Sequence, residues 1–178
     1  KIDHASQHLL SLINDILDMN KIEHAKLALS ITRVSLPDLV EQLFAMLEPQ
    51  AQAAGLHFVL HSASIRHSYF YGDALRINQI LINLLGNAIK FTPEGGQVDF
   101  QVEEVPPLRP KGRCRYRFTV RDTGIGMPEP FLQHLFEPFT RGRWSAHVEG
   151  SGLGLSITKG LIDLMGGTIS VESQVRRG

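Results

Sequence analysis

Gln79-Ile-Leu-Ile-Asn83-Leu-Leu-Gly-Asn87-Ala-Ile-Lys90-Phe-Thr92 is the stretch whose reading decides the fold. At about 100° of rotation per residue on a helix, Gln79, Asn83, Asn87 and Lys90 share one side, while Ile80, Leu81, Leu84, Leu85, Ala88 and Ile89 form a broad apolar surface. A polar line therefore runs along a helix otherwise built to be buried. An amide left in a core without a partner costs about 1–3 kcal/mol, so the line faces a satisfied network, solvent or a ligand. Asn carries a carbonyl oxygen hard enough for Mg²⁺, and Lys90 a charge suited to phosphate. A solvated helix edge, with Lys90 favouring the C-terminal dipole, accounts for the same pattern.

Upstream of this helix, Asp73 is placed to cap it, and Tyr69-Phe-Tyr71 reads as a short extended piece leading in. Leu56 to Leu60 reads as a strand. Pro37, with Asp38 and Glu41 in the first turns, starts a helix predicted to run to about Ala54 and stop at Gly55. Its stripe of Leu39, Val40, Leu43, Phe44, Met46 and Leu47 is core, and Pro49 is expected to kink it or end it early. Leu27 to Val34 alternates loosely, as a strand does. Residues 1–27 form a helical pattern with Ile2, Leu9, Leu12, Ile13, Ile16, Leu17, Met19 and Ile22 at mixed three- and four-residue spacings. So wide a stripe asks for a helical bundle. His4, His8 and His24 lie on this helix without the neighbouring groups a nucleophile or ligand set needs.

Downstream, Gly86 sits inside the central helix at a cost of about 1 kcal/mol against Ala, which a close neighbour or a bound ligand would justify. Pro93-Glu94-Gly95-Gly96 is a turn. Val98, Phe100 and Val102 alternate, as do Tyr116, Phe118 and Val120, predicting two antiparallel strands joined by a tip at Pro106–Gly112 whose basic residues are solvated. The second strand ends in Asp122-Thr-Gly124-Ile-Gly126, where two glycines let backbone approach a flat ligand while Asp122 accepts from an amino group. Many tight turns share that pattern. Phe136 to Glu149 has no period and reads as a mobile cover; it contains Trp144, the single tryptophan. Gly150-Ser-Gly152-Leu-Gly154-Leu155 then opens a helix through Met165, and a glycine-rich turn feeding a helix N-terminus is an anion site. No Gly-Lys-Ser/Thr follows, so this is not a Walker loop. Gly166-Gly167 ends the helix, and Thr168 to Glu172 is expected to be a final strand.

With 178 residues, 18 basic and 18 acidic side chains and 43% hydrophobic residues, the chain has enough material for a real core and no net charge to draw it to nucleic acid. Its one cysteine, Cys114, has no internal disulfide partner, which fits a reducing compartment. No apolar run reaches the roughly 18–20 residues a bilayer requires. The chain begins inside a helical pattern and ends on Arg176-Arg177-Gly178, the pattern of an excerpt.

Asn83-x3-Asn87-x2-Lys90, Asp122-x-Gly124-x-Gly126, Phe136-x2-Phe139 and Gly150-x-Gly152-x-Gly154 stand in a fixed order. In that order they resemble the N, G1, F and G2 boxes of the catalytic ATP-binding domain of sensor histidine kinases, from about Leu36 to Ser173. Residues 9–29 resemble the second helix of the same family's dimerisation and phosphotransfer domain, with wording closest to the hybrid kinases. The resemblance implies an α/β fold of the two-layer α+β sandwich kind, a Bergerat-type ATP-binding fold with a mixed sheet packed under helices and an N-terminal bundle helix. It divides the chain into a partial dimerisation segment, 1–27, and a catalytic domain, 28–178, with its last strand lacking on one reading.

It further implies ATP and Mg²⁺ as ligands. Asn87 would hold Mg²⁺ with Asn83 in support, and Lys90 would contact phosphate. Asp122 would accept from the adenine amino group, with Gly124 and Gly126 admitting the base. Gly150, Gly152, Leu153 and Gly154 would form the lid over the triphosphate, and Arg141 would reach the γ-phosphate on closure. The implied partners are the parent's own dimerisation and phosphotransfer helices, a second copy of the parent, and a response-regulator receiver domain. The implied setting is cytoplasmic, on a parent anchored at the inner membrane. The acceptor histidine, which the family carries on a first helix before an acid and Arg/Lys-Thr-Pro, has no counterpart at His4 or His8. Gln79 stands where some relatives have an acid, and Ser151 where Thr is frequent. Two other readings stay open: an ATPase of the gyrase, chaperone and mismatch-repair kind, and a degenerate module that only dimerises or binds a partner kinase.

Overall fold

The computed structural model describes residues 2–24, 26–62, 65–106, 114–142 and 150–178. They build α1 (Ile2–Glu23), β1 (Thr32–Ser35), α2 (Leu36–Ala53), β2 (His57–Ser62), β3 (Tyr69–Gly72) and α3 (Ala74–Phe91). After these come β4 (Gln97–Val105), β5 (Arg115–Asp122), α4 (Glu129–Leu132) and α5 (Gly154–Leu164). The chain divides into two compact units, one of Lys1–Ser30 with Pro128–Glu172 and the other of Ile31–Met127 with Ser173–Gly178. Among the described residues no helix is long and apolar enough to cross a membrane.

The second unit is a mixed sheet under two helices. β4 is its centre, parallel to β2 and antiparallel to β5. Val98, Phe100 and Val102 are buried at alternate positions of β4, as the two-residue period of a strand with one covered face requires. Against that face α2 presents Leu36, Leu39, Leu43, Leu47 and Ala51, and α3 presents Leu81, Leu85, Ala88 and Ile89. Each leucine so buried contributes about 1.5–3 kcal/mol. Phe44 of α2 stacks on Phe58 of β2 at 4.4 Å between ring centroids. β1 and β3 form a separate antiparallel ribbon, with Thr32 opposite Gly72.

α2 begins where expected: Ser35 Oγ accepts the Asp38 N–H, and Pro37 occupies the first turn. It ends at Gly55, whose φ of +68° is cheap only for glycine. Of the kink or early end expected at Pro49, the early end does not occur, since the helix continues to Ala53. Pro49 and Ala45, whose carbonyl loses its helical donor, both lie on the exposed side where water replaces the bond, while Leu47 and Ala51 hold the buried side.

Two strand expectations also change. Of Leu27 to Val34, only Thr32 onward is strand, and Leu27 is buried in the first unit. Thr168 to Glu172 alternates but joins no ladder among the described residues; beyond it the backbone closes a turn in which the Gln174 N–H meets Gly178 O. Alternation without a neighbouring strand to accept its N–H groups does not make a strand.

In the first unit, α1 packs against α5, with Gly160 so close to Ile22 that an added Cβ would lie 2.7 Å from its Cγ2. α1 ends four residues before the sequence pattern does, at Glu23, and His24 Nδ1 lies 2.8 Å from Asn20 O, an ordinary helix-terminal contact. Leu10, Ile13, Ile16 and Leu17 are exposed along α1. The side chains of His4 and His8, the strand-connecting tip at 107–113, and residues 143–149 with Trp144 lie outside the described residues.

Candidate functional site

α3 forms because Asp73 accepts the Arg76 N–H at 3.1 Å and so caps a run whose apolar stripe faces the sheet. The helix leaves Asn83 and Asn87 half-buried and Lys90 exposed. Asn87 Nδ2 donates to Asn83 Oδ1 at 3.5 Å, which orients the Asn87 amide; an amide Oδ1 is an oxygen of the hard type that a cation such as Mg²⁺ takes. Gln79 is engaged differently: its Oε1 accepts from Arg76 at 2.7 Å. Lys90 Nζ lies over the Phe91 ring at 5.4 Å.

Apart from its chain neighbours and the adjoining backbone of α3, no described atom lies within 4 Å of a Cβ built on Gly86, so of the two justifications, a close neighbour or a bound ligand, the first is absent among the described residues. Gly86 lies three residues from Asn83 and four from Lys90, on the polar side of α3. Its missing side chain keeps that side open.

The glycine turn after β5 is tied to the end of the same helix. Asp122 Oδ1 accepts the Gly124 N–H at 2.8 Å, and the Ile125 N–H donates to Phe91 O at 3.2 Å. A Cβ on Gly124 would meet both Phe91 O and Asp122 Oδ1 at 2.6 Å. Gly126 has φ +64°, and its Cβ would meet Gln174 O at 1.9 Å. Both glycines are therefore required by close backbone approach. The Asn pair, Lys90 and the Asp122 turn thus share one unit, joined through the C-terminal end of α3.

The remaining predicted residues fall in the first unit. A Cβ on Gly152, at φ +74°, would lie 3.0 Å from Phe139 Cα and 3.2 Å from Arg141 Cγ, so the phenylalanine stretch and the second glycine turn touch. Phe139 itself has φ +60°, a strained value for a bulky residue, with its ring largely exposed. Leu153 is buried and its N–H donates to Ser151 Oγ at 3.2 Å, which fixes the turn into α5. Gly154 is the first residue of α5, whose first N–H groups have no acceptor within the helix.

Two contacts have no plain sequence signal. Ser151 Oγ donates to Asp15 Oδ2 at 3.3 Å across 136 residues of chain. Burial holds the Asp15 carboxyl above its usual range, against the Ser151 hydrogen bond and with some help from Asp18. The Ile125–Phe91 link runs through backbone alone. The short α4, to which the sequence reading assigned no element, did leave a signal, an acid and a proline at Glu129 and Pro130.

Comparison with known proteins agrees with this arrangement. Residues 72–178 match the family described as histidine kinase-, DNA gyrase B- and HSP90-like ATPase. The chain is 39% identical over 176 residues to hybrid signal transduction histidine kinase C of Dictyostelium discoideum, covering 97% of the chain and 14% of that protein. It is 38% identical over 179 residues to the signal transduction histidine-protein kinase BarA of Escherichia coli K12, covering 99% of the chain and 19% of BarA. Full-length ShkA, solved in complex with AMPPNP, superposes with a TM-score of 0.83 at 32% identity, over 98% of this chain and 35% of ShkA. The chain spans less than a fifth of the length of these two curated relatives. With the glycine turn pinned to the Asn-bearing helix and the matched region running through both glycine turns, the chain belongs to the histidine kinase-, DNA gyrase B- and HSP90-like ATPase family.

Proposed function

We propose that this chain is the ATP-binding catalytic domain of a two-component sensor histidine kinase, preceded by the second helix of its dimerisation and phosphotransfer domain. The γ-phosphoryl of ATP passes to a histidine outside residues 1–178, and from there to a response regulator. The observation that carries this reading is the joining of two half-sites on α3: the Asn83–Asn87 pair midway along it, and the Asp122 turn at its end.

The adenine amino group donates to Asp122, and Gly124 and Gly126 allow the ring to lie against backbone. Lys90 supports the phosphates. A single hard oxygen on Asn87, steadied by Asn83, suits Mg²⁺, which takes few protein ligands and completes its shell with water and phosphate oxygens. When bound, Mg²⁺ neutralises charge on the phosphates. Gly150, Gly152 and Gly154 bring the α5 N-terminus to the phosphates, and Arg141 adds a cation as the lid closes. The domain's contribution to transfer is positioning and electrostatic stabilisation.

Gln79 supports transfer over hydrolysis. It is a neutral amide and its oxygen is occupied by Arg76, so it does not serve as the base that would activate water. The exposed stripe on α1 supports a parent that dimerises through a helical bundle. The inner membrane is the proposed location of the parent's anchor, with this domain on the cytoplasmic side.

Incubation with γ-labelled ATP and Mg²⁺, with and without a separate polypeptide carrying the family's acceptor helix, tests the proposal. Label is expected on the added helix and not on His4, His8 or His24. Rapid phosphate release with no transfer would favour the ATPase reading, and stable label on the chain's own histidines would overturn the assignment of the acceptor.

A further inference from the structure

His67, Glu104 and Cys114 converge in the second unit, away from α3, and no step of nucleotide binding uses them. His67 lies just before β3, Glu104 near the end of β4, and Cys114 just before β5. One ligand-type atom of each lies within 4.8 Å of the other two. His67 Nδ1 is 2.8 Å from Glu104 Oε1 and 3.7 Å from Cys114 Sγ. We propose that His67 Nδ1, Glu104 Oε1 and Cys114 Sγ form a three-ligand site for a borderline-soft divalent cation, with zinc the ion of best fit.

The spacing supports this. Zinc bonds of about 2.3 Å to sulfur and about 2.0–2.1 Å to imidazole nitrogen set those two atoms about 3.5 Å apart around a tetrahedral ion. The observed 3.7 Å is already close to that value. The His67–Glu104 pair needs to open from 2.8 Å to about 3.3 Å, a small side-chain adjustment.

The ligands are also held from behind. Glu104 Oε2 accepts the backbone N–H groups of Arg66 and His67 at 2.8 and 2.9 Å, which fixes the carboxylate and turns Oε1 to the cluster. Tyr116, opposite Glu104 on β5, donates its hydroxyl to His67 O at 2.6 Å and fixes the histidine backbone. Such outer contacts orient metal ligands. A hollow of about 560 Å³ lined by His67, Tyr69, Phe70, Tyr71, Cys114 and Tyr116 borders the cluster and leaves room for a water or a ligand atom in a fourth position.

The charges balance. Glu104 brings a carboxylate, and Cys114 a thiol that becomes a thiolate on giving up its proton to the cation's field. Binding releases that proton to solvent and places the remaining imidazole proton on Nε2. Thiolate and carboxylate then neutralise a dication.

Titration of the whole chain with Co²⁺ and then Zn²⁺, in the absence of nucleotide, tests the site. One Co²⁺ per chain should produce a near-ultraviolet thiolate charge-transfer band, and Zn²⁺ should abolish it. Cys114→Ser should eliminate the band, and Glu104→Gln should weaken Co²⁺ binding about tenfold or more, with circular dichroism confirming that each variant is folded. Thermal unfolding gives a second readout: Zn²⁺ should raise the midpoint of the wild-type chain and leave that of Cys114→Ser unmoved. Absence of the band in the wild type, or an equal Zn²⁺ shift in both proteins, would overturn the proposal and leave these contacts as a tie between residues 66–67 and the sheet.

Discussion

The Asp122 carboxylate accepts the N–H of Gly124, two residues on, at 2.8 Å through Oδ1. The bond curls the turn back so that Gly124 lies against Phe91 O at the end of α3, and it aligns the carboxylate for a second donor. Asp122→Asn keeps an acceptor for Gly124 but exchanges a charged acceptor for a neutral one. Adenosine and ATP should then both bind about tenfold or more weakly, the cost of a charge-assisted hydrogen bond of about 1.5–3 kcal/mol. Titration calorimetry with adenosine isolates this end of the site, and unchanged adenosine affinity would remove Asp122 from base recognition.

Two glycine substitutions should act with opposite signs. Gly126 has φ +64° and would drive a Cβ into Gln174 O, so Gly126→Ala should destabilise the fold by about 1–3 kcal/mol. Gly86 is helical with open space around it, so Gly86→Ala should stabilise by about 0.5–1 kcal/mol. Urea denaturation measures both, and a loss of stability in Gly86→Ala would mean that an unseen neighbour occupies that space.

Much of this was legible in the sequence because it is local. The cap at Asp73, the stop at Gly55 and the alternation of Val98, Phe100 and Val102 each follow from a few adjacent residues. The polar line on α3 was visible because helical period alone gathers its members. Pairing was less legible. Thr168 to Glu172 has the alternation of a strand but no ladder among the described residues, and the consequence of Pro49 depended on which side of α2 faced water. Contacts such as Ser151 with Asp15, or the Ile125 N–H with Phe91 O, join residues whose types alone do not mark them as partners.

The Ser151–Asp15 contact predicts a pH dependence in the unit formed by α1 and α5. Burial raises the folded-state value of Asp15 above its usual 3.8, so the folded unit binds this proton more tightly than the unfolded chain does. Its contribution to stability should therefore grow as pH falls from neutrality through the raised value, then level off below 3.8. Asp15→Asn should flatten that part of the profile. Thermal unfolding of both proteins between neutral and mildly acid pH provides the check, and parallel profiles would show that Asp15 titrates as it does in the unfolded chain.

Leu10, Ile13, Ile16 and Leu17 leave an apolar stripe exposed on α1. Large exposed patches of this kind are partner surfaces or aggregation liabilities. Sedimentation should show concentration-dependent association, and replacing Ile13 and Leu17 with Gln should abolish it with nucleotide affinity unchanged. A strict monomer at high concentration would count against a bundle role for α1.

In the proposed nucleotide site on α3, Asn87 organises the phosphate end. Calorimetric titration of ATP into the wild-type chain and into Asn87→Ala, each with and without Mg²⁺, tests it most directly, with adenosine as the control for the Asp122 end. Mg²⁺ should strengthen ATP binding to the wild type. Asn87→Ala should lose most of that enhancement, a fall of about tenfold or more, corresponding to about 1.4 kcal/mol or more, and should bind adenosine as before. Equal ATP affinity and equal Mg²⁺ dependence in the two proteins would contradict the account.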